Sequence, residues 1–130
     1  MREIKILFRG KRIDNGEWIE GSLLGIDWCD KPSTYSIAPN TPVSVFYSVI
    51  PETVGQYTGL TDNNGVKIFE GDIVDYISSD VIGNPKTGTI IVEDMTDYDT
   101  MIYLNHSDEL QIIGNIHDNP EILKGGEEND

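Results

Sequence analysis

The chain has 130 residues, one domain's worth by length, and can bury roughly two-thirds of its unfolded surface without metals or disulfides. Its 38% hydrophobic content is that of a folded protein, a single cysteine rules out an intrachain disulfide, and no apolar run nears the ~18 residues that span a bilayer. The 23 acidic residues against 9 basic give −14 at pH 7, which disfavours nonspecific nucleic-acid binding because phosphates are repelled over most of the surface.

The signs are unevenly placed. Residues 1–12 carry Arg2, Lys5, Arg9, Lys11 and Arg12 against Glu3 alone, a balance of +4 that leaves −18 on the rest. No long apolar region follows these charges, so the N-terminus does not read as a signal peptide and the cytoplasm is the expected compartment.

Along the chain, Ile4, Ile6 and Phe8 alternate with Lys5, Leu7 and Arg9, and period two predicts a strand over 2–8. Asp14-Asn15-Gly16 predicts a hairpin turn, with Glu17–Leu24 returning as its partner strand. Gly25–Pro42 is interrupted by Pro32, Pro39 and Pro42, and reads as a long loop or excursion with at most a short strand at Tyr35–Ile37. Pro42–Ile50 resumes alternation as a half-buried strand, and Pro51–Gly55 suits one helical turn. Gly55 and Gly59 read as tight corners.

The centre, Pro51–Tyr76, organises the rest. It holds the turn Asp62-Asn63-Asn64-Gly65, an apolar run at Val66–Phe69, a Glu70-Gly71-Asp72 corner and a second apolar run at Ile73–Ile77. Thr89–Glu93 should pair with that second run across the turn-rich stretch 83–88. Asp94–Asp99 reads as an acidic hairpin loop. Thr100–Leu104 and Leu110–Ile116 read as further strands, with Gly114 a bulge. Asn119-Pro120 opens a last helical turn to Leu123, and residues 125–130 form a disordered acidic tail.

Chemistry is harder to find. No phosphate-cradling glycine motif occurs, and Cys29, His106 and His117 lack the paired short spacings of a zinc site. Cys29 sits between Trp28 and Asp30, which do nothing to lower its pKa. The acids Glu93, Asp94, Asp97 and Asp99 suit a solvated loop tip. One polar cluster is a candidate ligand site: Gln56, Tyr57 and Thr58 with Glu70 and Asp72, although turn chemistry alone accounts for these residue types. Asp72 after Gly71 is expected to bond backbone N–H groups within its corner.

Several stretches together resemble the YopX family, small proteins found mainly in phages and prophages. They are Met1-Arg2-Glu3-Ile4-Lys5 with Phe8-Arg9-Gly10-Lys11-Arg12, then Asp14-Asn15-Gly16-Glu17-Trp18. The centre matches over Pro51–Leu60, Asp62, Asn64-Gly65 and Ile68–Val74, and the end over Ile113–Glu121. Ile6 and Leu7 depart from the family pattern, but two extra residues preserve strand facing. The resemblance implies a mainly β protein with an SH3-like barrel in its second half, and no reaction.

The expected architecture is mainly β: a small partly open barrel, SH3-like in the second half, with an N-terminal β-hairpin and one or two short helical turns. A single domain spans 1–124, with a hairpin region at 1–50 and a barrel-like region at 51–124. The expected function is that of a non-enzymatic, phage- or prophage-encoded accessory protein that contacts a protein partner of phage or host. No cofactor or membrane is expected, and self-association is open. Two alternatives stand beside it: an acidic DNA mimic that occupies a host DNA-binding protein, and a ligand-binding protein or hydrolase with its site at the Gln56–Asp72 corner.

Overall fold

The computed structural model describes residues 6–26, 34–41, 45–79, 82–93 and 98–122. Among them the chain is mainly β, in antiparallel sheets that do not close, with short helical segments between strands. It divides into two compact units, residues 1–57 and 58–130.

In the first unit, β1 (Phe8–Lys11) and β2 (Trp18–Ile26) form the expected hairpin, with Gly10 opposite Ile19 and Lys11 opposite Trp18. The Asp14-Asn15-Gly16 turn joins them. The Gly16 N–H reaches the Arg12 carbonyl, and the Asn15 Oδ1 accepts the Glu17 N–H. Of the strand predicted over 2–8, residues 2–5 lie outside the described set, and among the described residues β1 begins at Phe8.

Within Gly25–Pro42 the short strand allowed at Tyr35–Ile37 is present as β3 (Thr34–Ala38), and the correction is that it is no excursion but an interior strand between β2 and β4 (Tyr47–Val49). Ile37 on β3 and Val49 on β4 are fully buried. Of the strand expected over Pro42–Ile50, residues 42–44 lie outside the described set, and within 45–50 the strand is the three residues of β4. Its far side curls back toward β1, where Arg12 bridges Val49 and the Ile50 N–H donates to the Lys11 carbonyl.

After β4, Pro51–Thr53 makes a single 3-10 turn, and the Thr53 Oγ1 accepts the Lys11 N–H at 2.9 Å. Gly55 is no corner. It begins β5 (Gly55–Thr61), whose first residues pair with Phe8 and Arg9 and whose later residues lie beside β6 (Lys67–Phe69). Gly59, within the same strand, has φ +89°, the glycine conformation expected there, and the strand runs on through it.

In the second unit the order is β8-β7-β9, with β7 (Asp72–Ser79) central between β8 (Pro85–Ile91) and β9 (Glu109–Asn115). β8 starts earlier than Thr89 because Gly88 is accommodated within it. Its Cα lies opposite Tyr76, whose ring covers the space a side chain would fill, at 2.7 Å from an added Cβ. The β7–β9 register shifts between Ile73 and Val74, so the expected bulge near Gly114 is present.

The clearest reversal is Thr100–Leu104. These residues belong to a helix, α1 (Tyr98–His106). Thr100 and Leu104 are both buried and four residues apart, so one helical face carries them to the core. That core comprises Ile68, Val74, Val92, Leu104 and Leu110, with Met101, Tyr76, Ile90 and Ile112 packed on it. Residues 94–97, most of the expected acidic loop, lie outside the described set, as do Cys29, Leu123 and the acidic tail.

Candidate functional site

The central corner is built from backbone geometry. Gly71 has φ +97°, a conformation that glycine adopts without Cβ strain. Its N–H donates to the Val92 carbonyl, and its own carbonyl accepts the Ile116 N–H at 2.9 Å. The corner is thus held to the ends of both neighbouring segments. Asp72 is 2% exposed, and its Oδ2 accepts the Phe69 N–H at 2.8 Å. The bonding expected of Asp72 is what the structure contains.

The other members of the candidate cluster are placed differently. The Thr58 Oγ1 is buried and donates to the Ile68 carbonyl, at 2.8 Å. Glu70 is half-buried beside Gly71. Gln56 and Tyr57 end the first unit on β5, where Gln56 pairs with Phe8 and the Tyr57 N–H donates to the Leu7 carbonyl. Thr58 and Asp72 both direct a side-chain oxygen at main-chain groups of their own unit.

Asp62 has a role that spacing alone did not reveal. Its carboxylate is buried, and its Oδ1 accepts the N–H groups of Asn64 and Val66, both at 2.9 Å. Its Oδ2 accepts the Ile112 N–H from β9 at 3.2 Å. Burial pushes this carboxyl up, but the N–H groups of Val66, Ile112 and Asn64 together outweigh it, and its pKa lies below the ordinary aspartate value. Next to it, the Asn63 N–H donates to the Leu110 carbonyl and the Asn63 Oδ1 accepts the Leu110 N–H. The turn therefore occupies the outer side of β9.

β8 differs. It is the other margin of the three-stranded sheet, and Thr87 and Thr89 on it are exposed. A groove of about 550 Å³ crosses the end of this sheet, lined among others by Asn63, Tyr76, Thr87, Glu109 and Gln111. Asp75 also lines it, and the Thr89 hydroxyl donates to the Asp75 Oδ1 at 2.6 Å. Sequence reasoning passed over these residues. The signal was the alternation Thr87, Thr89, Ile91 after Pro85-Lys86, hidden because Gly83–Gly88 reads as turn.

In the first unit, cations lie on aromatic rings. The Arg9 guanidinium stands 4.6 Å and the Lys11 ammonium 5.6 Å from the Trp18 ring centre, and Arg12 lies 4.0 Å from Tyr47. Arg12 also grips both carboxylate oxygens of Asp14, at 2.9 and 2.6 Å, which holds the Asp14 pKa below its usual value. His117 lies in the turn after β9, its N–H bonded to the Asn115 Oδ1, and His106 ends α1. Among the described residues no three His, Cys, Asp or Glu side chains come together as metal ligands do, and no helix is long and apolar enough to cross a membrane.

Fold and geometry together define a small, open, antiparallel β protein whose acidic corners serve its own backbone. The YopX protein family matches residues 7–124, and the chain belongs to that family. Among solved structures, the crystal structure of protein EF1440 from Enterococcus faecalis is similar at 21% identity, covering 93% of this chain and 99% of that one, with a TM-score of 0.45. No curated protein matches.

Proposed function

We propose that the protein is a phage- or prophage-encoded accessory factor of the host cytoplasm that acts by binding another protein and not by catalysis. One observation supports this above the others: the acidic second unit presents an exposed sheet margin, with a groove beside it. Residues 58–130 carry 16 acidic and 3 basic side chains, a balance of −13, whereas residues 1–57 are near neutral. Charge so concentrated steers a cationic partner toward one part of the molecule and does little for a neutral one. The SH3-like character expected of this half fits the same role, since small open β folds commonly present binding surfaces.

The test uses tagged full-length protein and a lysate of cells carrying the phage or prophage. A defined partner should be enriched at low salt and should bind the purified protein with an affinity that falls as salt rises. No partner at any salt, or one held equally at low and high salt, would overturn the reading. The charge balance also favours a second reading, an acidic mimic that occupies a DNA-binding protein. In that case duplex DNA displaces the protein from its partner.

A further inference from the structure

We infer that β8 is a strand-addition site, and that its occupant is a short extended segment of a protein partner carrying Lys or Arg at alternate positions. This rests on the reading above that the protein works by binding another protein, and it names the place and the chemistry.

The hydrogen-bond pattern fixes which groups are on offer. Val92 N–H donates to the Asp72 carbonyl, and the register then pairs Val74 with Ile90, Tyr76 with Gly88 and Ser78 with Lys86. On the other side of β7, the Ile77 carbonyl accepts the Asp108 N–H. Even-numbered residues of β7 therefore bond toward β8, and odd-numbered ones toward β9. By the alternation of an antiparallel ladder, Ile90, Gly88 and Lys86 point their main-chain groups inward. Ile91, Thr89 and Thr87 point theirs outward. Among the described residues no strand lies on that side, since β8 ends the order β8-β7-β9.

The two margins of the sheet are treated differently by the chain itself. The outer groups of β9 are taken by the Asp62–Gly65 turn, through Asp62 to Ile112 and Asn63 to Leu110. β8 has no such cover among the described residues. Pro85 and Lys86 begin it, and a proline and a lysine are the residues that discourage pairing along a margin. They leave the five residues Thr87–Ile91 as the usable length, which suits a short peptide better than a long sheet-to-sheet joint.

The side chains then select charge. Thr87 and Thr89 lie opposite Ile77 and Asp75 on one sheet face, and Gln111 and Glu109 continue it on β9. Asp75 is exposed and oriented by the Thr89 hydroxyl. At the usual strand spacing an added backbone lies about 10 Å from β7, within reach of an extended Lys or Arg side chain. An acidic segment would meet the like charge of Asp75 and Glu109. A second copy of the chain brings only Lys86 along its own β8 and −14 overall.

The experiment uses the full chain and two synthetic seven-residue peptides, one alternating Val and Lys, the other alternating Val and Glu. By titration calorimetry the Lys peptide should bind and the Glu peptide should not. Thr89→Pro deletes one outward N–H and leaves the inward ladder to β7, and should weaken Lys-peptide binding about tenfold. Asp75→Asn should weaken it several-fold and flatten its dependence on salt. Hydrogen exchange on the unaltered protein covers the case in which Thr89→Pro fails to fold: the Thr87, Thr89 and Ile91 amides should slow when Lys peptide is added. Unchanged exchange at those three amides, or equal binding of both peptides, overturns the proposal. Slowing that grows with protein concentration and needs no peptide also overturns it, because the occupant is then a second copy. A captured partner that still binds the Thr89→Pro variant at full strength removes the β8 site and leaves the interaction role standing.

Discussion

Asp62 shows how one side chain can decide a region's geometry. It joins its own turn to β9 through three N–H groups, and it does so as an anion. Its pKa is lowered in the folded protein, so the stability it contributes is present above the unfolded aspartate value of about 3.9 and is lost as pH falls through the lowered folded value. Asp62→Asn keeps the shape but weakens the acceptors. It should cost about 1–3 kcal/mol at neutral pH in urea unfolding, with a smaller loss of stability on acidification than the unaltered protein shows. Gly71 makes the complementary case, where the absence of a side chain matters. With φ at +97°, Gly71→Ala should cost about 1–2 kcal/mol by the same measurement.

Helix α1 and strands β3 and β5 mark where the sequence stopped being legible, each for a physical reason. Thr100-Met101-Ile102-Tyr103-Leu104 is rich in β-branched and aromatic residues, which favour strands, and only the buried pair Thr100 and Leu104 reveals a helical period. Packing overrides propensity there. Leu104, 3% exposed against Val74, Val92 and Leu110, should cost about 2–5 kcal/mol when truncated in Leu104→Ala, read as a shift in the thermal midpoint. β3 was legible as a short strand, and its place inside the sheet was hidden by the prolines around it in sequence, while β5 was hidden by Gly55, which looks like a corner when the pairing partner is unknown. The hairpin turn at Asp14–Gly16, the Asp62–Gly65 turn and the Glu70–Asp72 corner were all legible, because tight turns are decided by the few residues in them. The candidate site was legible only in part. Asp72 and Thr58 announced themselves as polar residues at a bend, while the outward groups of β8 depend on register, which no local pattern records.

At the scale of the whole chain, charge is the feature that distinguishes the two units, −13 on residues 58–130 against near neutrality on 1–57. Partner affinity should therefore fall steeply between low and physiological salt, and reversing charge within residues 58–130 should change that slope more than equal changes within 1–57. Measured association rates at several salt concentrations check this.

The strand Gly55–Thr61 belongs to both units, beginning as a partner of β1 and ending beside β6. Both tryptophans, Trp18 and Trp28, fall within residues 1–57, so indole fluorescence watches that unit alone. The Tyr76 and Tyr103 rings lie 5.1 Å apart in the other unit, which carries no tryptophan. A destabilising change confined to residues 1–57 should therefore lower the melting midpoint read by indole fluorescence, which gives that unit an optical reporter of its own.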